Sequence, residues 1–323
     1  MNRFLAAAVV GALCLAAGPR PAAADPSIKV GNGKAASCSE TALRTALDVA
    51  EVQGGGIVYF RCGPHPVTIL LTEPLVLPDH TDVNGEGRIT LEAVPINGAF
   101  LFTTLFVDPD SSVLLSNLGV RLGFTVIQND GNLTVHNGSI AGSIAHNLVN
   151  TGTLTIQNSA ICCEVNDVAG GGVLNVGTLV IDNTTFSNSF GGGINNAGTG
   201  TALIINSRFS RNQFPEGSGG AVFNSGIAVI HNSRFSDNLA DARGGAIENV
   251  GALSISNSTF SGNTARLGGG ISNRGTLFIF NSSITHNAAR VSGGGVYTCC
   301  GGRTTLLRTS VTGNTPDNVV DVP

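Results

Sequence analysis

One string of residues recurs along most of the chain. "GGAVFNSGIAVIHNSRFSDN", "GGAIENVGALSISNSTFSGN" and "GGGISNRGTLFIFNSSITHN" follow one another in a common frame. Aligned on the Asn that most often precedes Ser, the pattern places Asn117, Asn137, Asn158, Asn183, Asn206, Asn232, Asn257 and Asn281 at spacings of 20, 21, 25, 23, 26, 25 and 24. Two residues earlier stand Leu115, Val135, Ile156, Ile181, Ile204, Ile230, Ile255 and Ile279; three residues later, the last five units carry Phe186, Phe209, Phe235, Phe260 and Ile284. A second element, Asn-x-Gly, begins at Asn129, Asn150, Asn175, Asn196, Asn224, Asn249 and Asn273. A period of this size requires a stacked architecture, because one such unit cannot bury its own apolar face.

Within a unit the apolar residues alternate with Ser and Thr. In "GALSISNSTFSGN", Leu253, Ile255 and Phe260 share one face. That is the period of short strands with one side buried. The aliphatic row before the Asn is mostly β-branched, which suits strands. Glycine pairs and Asn-x-Gly mark corners, where positive φ is cheap. The period is not six, and the back half lacks the leucines of a leucine-rich repeat. The prediction is an all-β solenoid in which each residue type stacks on its own kind. The eight Asn of the frame are expected to form a structural ladder, each amide donating to one neighbour and accepting from the other. A buried amide left unpaired costs about 1–3 kcal/mol.

These motifs, "GGAI…FSGN", "GGAV…FSDN" and "GGGI…ITHN", resemble the GGA[ILV] and FxxN repeats of chlamydial-type polymorphic outer membrane proteins. More broadly they resemble right-handed parallel β-helix proteins of the pectin-lyase-like superfamily, over roughly residues 80–318. The resemblance implies a single-stranded right-handed parallel β-helix of about ten or more coils, with a short N-terminal capping helix. No train of amphipathic strands follows the repeats, so the translocator barrel of those outer membrane proteins is not expected.

The remaining segments fit this plan. Residues 1–24 read as a secretory signal peptide: Arg3, the apolar run "FLAAAVVGALCLAAG", then Ala22-Ala23-Ala24 before cleavage. Residues 25–63 form the cap, 64–318 the β-helix and 319–323 a C-terminal tail. In the cap, "SCSETALRTALDVAEVQGGG" is the one good helix, with Ser37 and Glu40 as a capping box. Leu43, Ala46, Leu47 and Ala50 form its apolar face, and it looks like the plug of such barrels. Cys38 opens this helix and Cys62 closes the next strand, so a bridge between them would staple cap to first coil. The vicinal pairs Cys162-Cys163 and Cys299-Cys300 lie about five coils apart and cannot bridge each other; whether either closes on itself stays open. Arg308 replaces Asn in the last frame and ends the ladder.

Composition narrows the function. The chain has 323 residues, 12% charged, a net charge of −4 and 44 glycines. It lacks the basic field of a nucleic-acid binder. No second apolar run is long enough to span a bilayer, so no transmembrane segment is expected after signal cleavage. The expected location is secreted: extracellular, periplasmic or associated with the cell envelope. Acidic residues are scarce, no stacked carboxylate row is present, and the paired-aspartate set of the polygalacturonases is missing. Two tyrosines and no Trp offer few aromatic platforms for sugars. The segment between Phe-x-x-Asn and Gly-Gly varies most in length. It carries Arg243, Arg266 and Arg290 at spacings of 23 and 24, with Asp237, Asp241 and His286 nearby in sequence. These six are the candidate ligand-binding residues, with the three arginines as a stripe of guanidinium forks for an anionic glycan. The function expected is a non-catalytic, adhesin-like or glycan-binding protein, whose partner is an acidic polysaccharide or a cell surface. The alternative is a polysaccharide lyase or glycoside hydrolase acting on an acidic polysaccharide. No cofactor or metal is expected; Ca²⁺ enters only under that alternative, since it takes oxygen ligands.

Overall fold

In the computed structural model, residues 26–163 and 171–322 are described. The expected signal peptide, residues 1–24, lies outside them. The chain winds as a right-handed parallel β-solenoid of about ten turns with a single short helix near the N-terminus. Two sheets run along it, one of 21 strands and one of 11, and a third of 4 strands is confined to the turns between Gln213 and Ser292. We call the 11-stranded one the short sheet, because its strands are three residues long.

One turn shows the construction. The strand Ile247–Asn249 lies in the short sheet, and Val250-Gly251 turns the chain. The strand Ala252–Ser256 follows, and Asn257 bends the chain with φ 51°. Thr259–Ser261 and Thr264–Leu267 complete the turn before Ile271–Asn273 begins the next, paired in parallel with Ile247–Asn249. Leu253, Ile255 and Phe260 point inward and are buried. Phe186, Phe209, Phe235 and Phe260 stack with centroids 4.9, 4.8 and 4.7 Å apart and planes within 8° of parallel. This is the spacing of neighbouring strands transmitted to the rings. Gly244 has φ 63°, a conformation that favours glycine. A Cβ on Gly245 would strike the carbonyl of Gly269 in the next turn, so this position also has to be glycine.

The framing asparagines differ from expectation. All eight, Asn117 to Asn281, adopt φ between 46° and 52° at an outward corner, and seven of them are exposed. They form an outer ladder that is interrupted: Asn137 Nδ2 donates to Asn117 Oδ1, Asn183 to Asn158, Asn232 to Asn206 and Asn281 to Asn257. Between these rungs, Asn158 meets His136, Asn206 donates to Asp182 and Asn257 meets His231. The buried ladders use the other motif asparagines. Asn129, Asn150, Asn175, Asn196, Asn224, Asn249 and Asn273 have no solvent exposure, and each Nδ2 but the last donates to the next Oδ1 at 2.6–2.8 Å. A third ladder runs from Asn212 through Asn238, Asn263 and Asn287 to Asn314 at 2.8–2.9 Å. Behind the outer Asn, the Ser of Asn-Ser turns inward: Ser233 N–H donates to Ser258 Oγ, and Ser258 N–H to Ser282 Oγ. The dipeptide therefore splits into an outer residue that tolerates positive φ and an inner one that satisfies buried backbone.

The helix α1 spans Glu40–Gln53 and buries Leu43, Ala46, Leu47 and Ala50 against the first turns. Its N-cap is Ser39, whose hydroxyl accepts from Ala42 N–H, rather than Ser37 of the expected box. Glu40 instead accepts from Thr72 N–H and Oγ1 and pairs with Arg44, tying the helix to the second turn. Cys38 and Cys62 are disulfide-bonded, as expected. Cys162 and Cys163 also form a disulfide, whereas Cys299 and Cys300 are free. Residues 319–321, expected as tail, form a strand paired with Val296–Thr298.

Candidate functional site

The strand alternation that buries Ile247 and Asn249 turns the residue between them outward. The same position in successive turns is held by Asn195, Phe223, Glu248, Ser272 and Tyr297, in direct register. The outer face of the short sheet thus carries a row of unlike residues within an otherwise repetitive surface. Glu248 is fully buried on this face. Arg274, the middle residue of an Asn-x-Gly corner, donates Nε to Glu248 Oε1 at 2.7 Å and keeps about a third of its side chain exposed. Glu248 Oε2 and Ser272 Oγ are buried without a hydrogen-bond partner. Burial raises the Glu248 pKa; the guanidinium groups of Arg274 and Arg243 offset part of that rise.

Arg243 approaches from the other side. Its Cζ lies 5.8 Å from the centroid of the Tyr297 ring, a cation–π distance, and its Nη1 is 3.4 Å from Cys299 Sγ. Cys299 is buried and Cys300 exposed. Burial pushes the Cys299 thiol up, while Arg243 pulls it down. With Glu248 ionised, two guanidinium groups and one carboxylate leave a net positive charge beside a partly exposed phenol ring. Such a face can hold an anionic group by charge and hydrogen bonds while the ring packs against an apolar surface. Glu248 itself has no route to a ligand; it fixes Arg274.

The expected stripe of Arg243, Arg266 and Arg290 is not assembled as one. Arg243 is in register with Leu267, and the register shifts at Arg266 before Leu267 meets Ser292. Arg243 is half-buried, whereas Arg266 and Arg290 are exposed. Arg290 donates to both the carbonyl and Oδ1 of Asp241, so its charge is already matched. Asp237 and His286 occupy the bend after the Phe or Ile strand, with φ 58° and 57°. The sequence reading missed Glu248, Arg274 and Tyr297. The signal available was position: Glu248 is the one acidic member of a row that holds Asn195, Phe223, Ser272 and Tyr297 in neighbouring turns. Among the described residues, no three His, Cys, Asp or Glu side chains gather to hold a metal ion, and no helix is long and apolar enough to cross a membrane.

Fold and face together define a right-handed parallel β-helix protein with a cluster of Arg243, Glu248, Arg274 and Tyr297 at its short sheet. No family model and no curated protein matches the chain, and the likeness to polymorphic outer membrane protein repeats gains no support. Solved structures do match in fold. The A-module of the mannuronan C-5 epimerase AlgE4 of Azotobacter vinelandii is similar over 92% of this chain and 97% of its own, at 12% identity and TM-score 0.54. PfbA, a surface adhesin of Streptococcus pneumoniae, is similar over 92% and 93%, at 12% identity and TM-score 0.51. ORF18 of Geobacillus virus E2 is similar over 88% of this chain and 59% of its own, at 12% identity and TM-score 0.52.

Proposed function

We propose that this protein is secreted and binds polysaccharide without catalysis, using the outer face of the short sheet. The observation that carries the reading is the arrangement of Arg274, Tyr297 and Arg243. One guanidinium is fixed by a buried carboxylate and the other lies against the ring, which leaves a positive, preorganised and partly aromatic surface. Preorganised side chains lose little entropy on binding. The ligand class this surface suits is an acidic glycan. The disulfide Cys38–Cys62 supports an oxidising compartment. Proteins of this fold include a surface adhesin, which belongs to the same functional class as this reading. Titration of the protein with acidic and neutral oligosaccharides tests it: binding of the acidic series, lost in Tyr297→Ala, is the expected result.

A second reading is catalysis on an acidic polysaccharide. It is favoured by a carboxyl of raised pKa held within one cluster with a phenol and two arginines. The full burial of Glu248 weighs against it, since an acid or base must come within hydrogen-bond reach of the proton it moves. Release of reducing ends, or new unsaturated ends, from an acidic polymer would favour catalysis over binding alone.

A further inference from the structure

We propose a second anion-binding site on a different face, formed by Arg208 and Arg234, that holds consecutive acidic groups of a polysaccharide laid along the solenoid axis. The inference rests on the polysaccharide reading above but uses none of the same residues. Both arginines open the same three-residue strand, Arg-Phe-Ser, in successive turns, and they are direct register partners in a parallel pair. Phe209 and Phe235 point into the core, so alternation sends both guanidinium groups outward, and both residues are exposed. Neither guanidinium group makes an ion pair or hydrogen bond among the described residues. Like charges directly opposite on neighbouring strands destabilise a sheet unless something anionic lies between them.

The surroundings suit such an anion. The two arginines line a shallow hollow of about 340 Å³ together with Asn183, Asn206, Asn232 and Thr185. No carboxylate lines it. The nearest acid of the outer ladder, Asp182, already accepts from Asn206 Nδ2 at 2.9 Å. Amides and hydroxyls supply donors and acceptors for sugar hydroxyls, and the arginines supply charge. The equivalent strand position is Thr185 one turn before and Thr259 one turn after, so the doubled charge is local. Turns repeat about every 4.8 Å. Residues of an extended acidic polysaccharide advance by a comparable distance, so the two forks can each take one anionic group. Carboxylates and sulfate esters share the required chemistry.

The test is calorimetric titration at low salt with three hexasaccharide probes: oligogalacturonate, its methyl ester, and a sulfated heparin-type hexamer. Wild type is compared with Arg208→Gln/Arg234→Gln, Arg208→Lys/Arg234→Lys and Tyr297→Ala. The expected result is at least a tenfold weakening at one of two acidic-probe sites in the Gln double variant, with the site affected by Tyr297→Ala left intact, partial retention in the Lys variant, and no difference with the methyl ester. Tighter binding of the uronate identifies carboxylates as the natural group, and tighter binding of the sulfated probe identifies sulfates. Because both side chains are exposed, the melting temperature should stay within a few degrees; should the Gln variant unfold, the Lys variant and a competition titration with inorganic sulfate carry the test. Unchanged acidic-probe binding in the Gln variant, with loss in Tyr297→Ala, overturns this site and leaves the short-sheet reading standing. Loss in the Gln variant alone supports this site and removes the other. No binding of either acidic probe by wild type overturns this site.

Discussion

Asn249 Nδ2 donates to Asn273 Oδ1 at 2.8 Å, and both side chains are completely shut off from water. The same Nδ2 also lies within hydrogen-bond distance of the carbonyls of Gly251 and Thr276. Asn249→Ala therefore removes a rung and leaves the neighbouring amides and carbonyls short of partners. We expect a loss of about 1–3 kcal/mol in a denaturant titration, at the upper end because several groups are affected. Asn257→Gly, on the exposed corner, keeps the positive φ and loses only an exposed amide. It should cost less than about 1 kcal/mol. Equal losses would contradict the assignment of the buried ladder.

Phe235 lies between Phe209 and Phe260 with centroids 4.8 and 4.7 Å away. Phe235→Ala opens a cavity in the middle of the stack and should cost about 3–5 kcal/mol. Phe235→Leu refills part of it and should cost clearly less. Thermal unfolding of the two variants checks the order.

Much of this packing was legible in the sequence, because a solenoid repeats its constraints. The inward Ile and Phe rows, the helix face Leu43, Ala46, Leu47 and Ala50, and the bridge Cys38–Cys62 all follow from periodicity and position. Which Asn was buried did not. Asn257 and Asn249 recur equally well, and only the backbone decides that the first turns outward at φ 51° while the second points in. The site was harder still. Arg243, Arg266 and Arg290 are evenly spaced, but a register shift at Arg266 breaks the alignment that equal spacing suggests. Glu248, Ser272 and Tyr297 share nothing in sequence except their place in the frame, and their contact arises from stacking alone.

Glu248 sets a pH dependence. Its pKa in the fold is raised by burial, so between the unfolded and folded values the folded state binds more protons than the unfolded state. Stability should therefore fall as pH rises through that window, starting near the ordinary glutamate value of about 4.3. Glu248→Gln should flatten this part of the stability curve and should be most favourable, relative to wild type, at the upper end of the window. A wild-type curve that rises across it, with the Gln variant flat, would show that Arg274 outweighs burial.

The free thiols differ in access. Cys300 is exposed, whereas Cys299 is buried against Arg243 with its thiol pKa raised. Brief maleimide treatment of the native protein should label Cys300 and spare Cys299, because the thiolate is the reactive form and must be reachable. Peptide mapping reads the outcome, and preferential labelling of Cys299 would contradict the geometry.

The claim that the outer face of the short sheet binds acidic polysaccharide is tested most directly by separating binding from stability at Arg274. Arg274→Ala alone strands the buried Glu248 charge and should be costly, about 3–5 kcal/mol. Glu248→Gln/Arg274→Ala removes both charges and should recover most of that stability. Titration of wild type and this double variant with an acidic oligosaccharide and its neutral ester then gives the answer. The account predicts at least a tenfold weaker acidic ligand in a double variant that melts close to wild type, with the neutral ligand unaffected. Full acidic binding in that stable double variant would contradict it.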